Sequence, residues 1–181
     1  MYSIRNPAPA PSTATASVVN RRSATKSILL AATIVAILDI LYAILLYAII
    51  LGISTPSRVF QSIAAGLLGK ASFQGGTTTV LLGGVLHFLI AGIWTLIYFA
   101  LVRRLPTLRG LVRERSGAIR VGLLYGASVH VVMNLVVIPL SRIHRWPDFD
   151  WDFWLNIVQQ AVMVGLPIVL IVRDGESQTE R

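Results

Sequence analysis

The amino-acid sequence predicts an all-α polytopic membrane protein: a bundle of four transmembrane helices with a short amphipathic surface helix between the first and second spans. Three observations carry this expectation. Of 181 residues, 55% are hydrophobic and only 13% are Asp, Glu, Lys or Arg, against about a quarter charged in a soluble domain. The charges are unevenly spread, with Asp39 alone between Ser27 and Gly52. Four apolar stretches are each long enough to cross a hydrocarbon core of roughly 30 Å. Such a composition excludes a soluble enzyme and a disordered regulator. The absence of cysteine excludes a disulfide-stapled secreted module. A formal net charge of +8 would suggest nucleic acid in a soluble protein, but membrane topology explains it better and no nucleic-acid partner is expected.

Residues 1–26 read as a disordered cytoplasmic tail. From Pro7 to Ser17 it holds only Pro, Ala, Ser and Thr, with no apolar period. Its Arg and Ser content, without acidic residues, also fits an organellar transit peptide. The membrane domain covers 27–172. The first span, 27–51, measures roughly 36 Å as a helix. It exceeds the apolar core of a signal peptide, about 7–15 residues, and lacks a cleavage site after it, so it is expected to stay as an anchor. The second span covers 79–102 and ends at Arg103 and Arg104, the third covers 117–140, and the fourth, 153–172, stops at Arg173. A short tail, 173–181, follows. In lipid each span must be helical, because its amides have no other partners.

Orientation follows from Lys and Arg. Arg5, Arg21, Arg22 and Lys26, then Arg103, Arg104, Arg109, Arg113, Arg115 and Arg120, then Arg173 and Arg181 make twelve on one side. Arg58, Lys70, Arg142 and Arg145 make four on the other. The excess places both termini in the cytoplasm of a bacterial inner membrane, with contact to anionic lipid as a by-product.

The first outer loop opens with a cap residue, Thr55, and a proline at the first helical position, Pro56. Val59, Phe60, Ile63, Leu67 and Leu68 recur at helical spacing, with Arg58, Gln61, Ser62 and Lys70 on other faces. The expectation is an amphipathic helix at the outer surface, more simply a lid over the bundle than a gate. The second outer loop carries Trp146, Phe149 and Trp151 as an interfacial belt. Asp148, Asp150 and Asp152 alternate there, but a calcium loop would need a glycine and a closing glutamate that are missing. Capping of the fourth span explains Asp150 or Asp152 more simply.

The candidate site is a buried polar layer. Asp39, His87 and His130 lie roughly 18, 12 and 15 Å below the outer surface, with Asn134, Asn156, Gln159 and Gln160 slightly above. In the third span Ala118, Gly122, Gly126, His130 and Asn134 form one stripe, and Gly122 with Gly126 permits close helix contact. Gly83, His87 and Ala91 repeat the pattern in the second span, and Ala32, Ala36, Asp39 and Ala43 share a face of the first. These faces are expected to point inward, since a lipid-facing carboxylate costs several kcal/mol. The simplest role is a lock, with Asp39 bonded to His87 or His130. Alternatives are a proton or small-solute pathway, haem b held by His87 and His130, or a metal ion on Asp39, His87 and His130. No nucleophile elbow, phosphate loop or zinc-protease motif is present. Pro167, beside Gly165, is expected to bend the fourth span.

Arg58 to Gly69, Leu86 to Ala91 with Trp94 and Tyr98, Gly122 to Gly126, and Val132 to Leu140 together resemble the YagU-like group of small uncharacterised bacterial inner-membrane proteins, over about Pro56 to Leu140. The resemblance implies a four-span inner-membrane protein and carries no catalytic residues. The expected function is therefore a non-enzymatic structural or accessory subunit, without a cofactor, meeting the lipid bilayer and other membrane subunits or copies of itself. The alternatives are a redox or transfer protein using Asp39, His87 and His130, and an outer-face binding protein for lipid or a small molecule.

Overall fold

The computed structural model describes the backbone from Thr13 to Ser177 and the side chains from Ala24 to Arg173. Four of its helices are long and apolar enough to cross a membrane: Ala24–Ile50, Gly76–Arg104, Arg115–Leu140 and Trp151–Arg173. The chain is thus an all-α polytopic bundle, and its multi-pass membrane character follows from those four helices. Leu29, Leu41, Leu81, Val85, Leu124 and Val158 stand on its outside, all more than half exposed, a surface that only lipid makes inexpensive.

Helix α1 covers Thr13–Ala43, so it begins inside the stretch expected to be a disordered tail. The reason lies in the sequence: after Pro11 no proline or glycine occurs until Gly52, and nothing stops the helix of the span from extending backwards. The expected tail before Thr13 lies outside the described residues. A widened, π-type stretch, Ile44–Ile50, ends the first span.

Helix α2, Pro56–Leu68, starts as its sequence demands, with Thr55 accepting the amide of Arg58 at 3.2 Å. Its buried face differs from the large apolar one expected. Val59, Ala64, Ala65 and Gln61 are buried, while Leu67 is 55% exposed. The neighbour decides this. Gly83 of α3 (Gly76–Arg104) lies so near α2 that a Cβ there would strike the carbonyl of Phe60. Only small residues fit such a crossing, and Gln61 is buried because its amide donates to the carbonyl of Gly76 at 3.3 Å and to Thr79 Oγ1 at 3.2 Å. The far end of α2 is tied to the third span by the amide of Arg142, which donates to the carbonyl of Gly66 at 3.0 Å. Helix α2 is therefore pinned to the bundle.

After α3 a short helix, α4 (Pro106–Leu111), leads to α5 (Arg115–Val132). The third span continues through a π-type stretch, Met133–Val137, into the single turn α6, Ile138–Leu140. The fourth is built likewise: α7 (Trp151–Gln160), a π-type stretch Ala161–Gly165, then α8 (Leu166–Ser177). Pro139 and Pro167 each sit two residues beyond a π-type stretch. A proline ring collides with the carbonyl four residues back, and a wider turn just upstream moves that carbonyl aside.

The first span packs against the second and the fourth, and the fourth packs against the third. The second and third make no extensive backbone contact. They are joined chiefly by Tyr125, whose hydroxyl donates to the carbonyl of Trp94 at 2.6 Å and whose ring lies 5.2 Å from that of Tyr98. The closest crossing is between the third and fourth spans. A Cβ on Gly165 would meet the carbonyl of Gly122 and the backbone of Gly126, and one on Gly126 would meet the carbonyl of Gln160. At the bundle end away from α2 the interior is a dense plug: Val102, Val112, Ala118, Ile168, Val169 and Val172 are each at most 4% exposed.

Candidate functional site: a polar cavity among the spans

Above the plug, in the half of the bundle nearer α2, the four spans part around a cavity of about 750 Å³. Asp39 and Tyr47 face it from the first span, His87 and Trp94 from the second, His130 and Asn134 from the third, and Asn156 and Gln160 from the fourth. Arg58 of α2 and Arg145, Trp146 and Asp148 of the last loop stand around it at the α2 end. All three π-type stretches supply wall residues from their own turns, Tyr47 in the first span, Met133 and Asn134 in the third, and Val164 in the fourth. Such turns leave an extra residue per turn to be aimed inward, and they often mark functional sites.

The polar side chains form two tiers. In the deeper one, Asp39 Oδ1 accepts from Gln159 Nε2 at 2.9 Å and from Gln160 Nε2 at 3.1 Å. Nearer α2, Asp152 Oδ1 accepts from Tyr47 at 2.7 Å and from Asn156 Nδ2 at 3.1 Å, while Asn156 also donates to the Tyr47 hydroxyl at 2.8 Å. Asp150 caps α7, its Oδ1 accepting the amide of Phe153 at 3.2 Å.

The expected lock between Asp39 and a histidine is not what forms. His87 Nε2 lies 2.8 Å from the carbonyl of Ala36. A carbonyl only accepts, so that nitrogen carries the proton and ties the second span to the backbone of the first. His130 stacks edgewise on Phe153 at 4.8 Å, and Asn134 turns back to the carbonyl of His130 at 3.0 Å. The carboxylate finds amides instead because the fourth span, packed directly on the first, brings Gln159 and Gln160 to its level. Both histidines are buried, at 8% and 6% exposure, and both line the cavity.

Among the described residues no three His, Asp or Glu side chains gather closely enough to hold a metal ion. With Nε2 of His87 donating to the carbonyl of Ala36, Nδ1 is the nitrogen of that ring that keeps its lone pair. Gly83, Gly122 and Gly126 take packing positions: Gly83 under α2, and the other two against the fourth span.

Sequence reasoning overlooked Tyr47 and used Asp152 only as a cap. The signal was present: Asp39, Ala43 and Tyr47 are spaced four apart on one face, as are Asp152 and Asn156. What could not be read was that these two faces meet, across 105 residues of sequence. Replacing Tyr47 by Phe should lower stability by about 0.5–1.5 kcal/mol, the net worth of the bonds it removes. Thermal unfolding in mild detergent measures it, and an unchanged midpoint would show that this tier does not hold the first and fourth spans together.

No protein-family model, curated protein or solved structure matches this chain. Its function has to be inferred from the site itself.

Proposed function

We propose that this is a binding protein of the bacterial inner membrane, with both termini cytoplasmic, that takes up a small amphiphilic molecule in the cavity from the periplasmic side. One observation carries the proposal: a space of about 750 Å³, walled by polar groups from all four spans and backed by a packed apolar plug. The volume lies within the roughly 300–1,000 Å³ of small-molecule sites. A purely structural lock would close upon itself. Here Asp39, Tyr47, Asp152, Asn156 and Gln160 are hydrogen-bonded to one another or to Gln159 and still stand around open space.

The twelve-to-four distribution of Lys and Arg supports the orientation. In that orientation α2 and the cavity opening face outward and the plug faces the cytoplasm. The expectation of partner subunits drew on the Gly122 and Gly126 stripe, but the fourth span occupies that stripe. A transfer protein would need a way past the plug.

The chain has no cysteine, so single-cysteine variants test the proposal without background. Met133→Cys, in the cavity wall, should react with a membrane-impermeant maleimide added outside intact cells. Val169→Cys, in the plug at 0% exposure, should not. If Met133→Cys stays unlabelled there and also in detergent, no open cavity exists and the proposal fails; labelling only from the cytoplasmic side would overturn the orientation.

A further inference from the structure

The chemistry of the walls narrows the occupant, given the proposed binding role. Asp39 and Asp152 both face the cavity, and each is held only by neutral donors: two glutamine amides on one, a tyrosine hydroxyl and an asparagine amide on the other. Among the described residues the one ion pair is Arg145 with Asp148, at 2.8 Å and well exposed. Among the described residues no Lys or Arg makes an ion pair with the two inner carboxylates. His87 spends its proton on the carbonyl of Ala36 and His130 packs on Phe153, so neither makes an ion pair with them.

Both carboxylates are used in the same lopsided way. The bonds fall on Oδ1 of each, and neither Oδ2 has a hydrogen bond among the described residues or is sealed from open space. A carboxylate within a membrane bundle is costly without a partner. Aromatic faces, Trp94 and Phe153, share the same walls, and an aromatic ring attracts an organic cation through its quadrupole. Acid oxygens without counter-charge, aromatic rings and apolar surface in one space suit a single kind of molecule.

We infer that the cavity binds an amphiphilic organic cation, its ammonium group drawn by the two carboxylates that line it, Asp152 in the outer tier and Asp39 in the deeper one, and its apolar part against Trp94 and the aliphatic wall. Trp146 stands at the cavity's α2 end and adds aromatic surface there, beside Arg58 and the Arg145–Asp148 pair.

The test uses the full-length Met133→Cys protein in non-ionic detergent and measures protection from maleimide by matched ten-carbon probes. Decyltrimethylammonium should protect, whereas decanol and decyl sulfate should not at the same concentration. Asp39→Asn and Asp152→Asn keep an acceptor for the neighbouring amides, and each should raise the half-protecting concentration at least tenfold. Equal protection by decanol or decyl sulfate, or undiminished protection in both Asn variants, overturns the inference while leaving a binding cavity in place. An unreactive cysteine at position 133 in the absence of probe overturns the binding role itself. Labelling of the Asn variants without probe shows that they keep the cavity. A lysolipid with an ethanolamine headgroup identifies the source of the ammonium. Its protection points to a membrane lipid, and protection by decyltrimethylammonium alone points to a free cation; either outcome upholds the cation site.

Discussion

Replacing Gly165 by alanine should destabilise the bundle by about 1–3 kcal/mol, the cost of forcing extra atoms into a packed interior, and leucine there should prevent recovery of a monodisperse protein. The obstruction is backbone, not a side chain that can swing away. A Cβ on Gly165 meets the carbonyl of Gly122 and the amide of Gly126, so the third and fourth spans must separate to admit it. Separation would loosen the plug, where Ala118 lies at 0% exposure beside the buried Ile168 and Val169. In a membrane this contact is hard to replace, because packing rather than water exclusion holds spans together. Gly92 is the control: a Cβ there meets nothing within 4 Å, and alanine should gain up to about 1 kcal/mol of helix propensity. Thermal unfolding in detergent compares the two, and a Gly165→Ala protein as stable as Gly92→Ala would show that the crossing does not depend on close approach.

A second large effect is expected where the buried carboxylate loses its donors. Changing Gln159 and Gln160 to leucine together removes both bonds to Asp39 Oδ1. Bonds to charged groups contribute about 1.5–3 kcal/mol each in proteins, while polar contacts between membrane helices average nearer 0.6 kcal/mol. The double variant should therefore lose about 2–4 kcal/mol, since an unsatisfied carboxylate costs more than a pair of neutral groups parting. Adding Asp39→Leu should restore most of that loss, because no polar group is then left without a partner. The triple variant separates the two causes. If it is no more stable than the double, the damage came from repacking the fourth span, and Asp39 does not rely on the amides.

The same residues show how far the sequence reaches. Span number, approximate ends and the α2 start were legible, because they depend on local quantities: apolar length, the Thr55–Pro56 cap, and prolines and glycines that interrupt helices. Residue count along each helix also placed Asp39, His87 and His130 in one half of the bundle, and all three line the cavity there. Which side chains meet there was not legible. Position around the bundle depends on which spans are neighbours, and the first span lies between the second and the fourth. That arrangement gives Asp39 to Gln159 and Gln160, gives His87 to the carbonyl of Ala36, and brings Tyr47 to Asp152. It also shifted the buried face of α2: Val59 is buried as expected, but Gln61, Ala64 and Ala65 join it against the close crossing at Gly83 while Leu67 is left exposed. The chain by itself determined four membrane-length helices, because apolar length is a property of one helix at a time, whereas Gln159 and Gln160, expected slightly above Asp39, lie at its level. Only the tertiary structure decided partners and open space, because a cavity belongs to no single helix and exists only where four of them fail to touch.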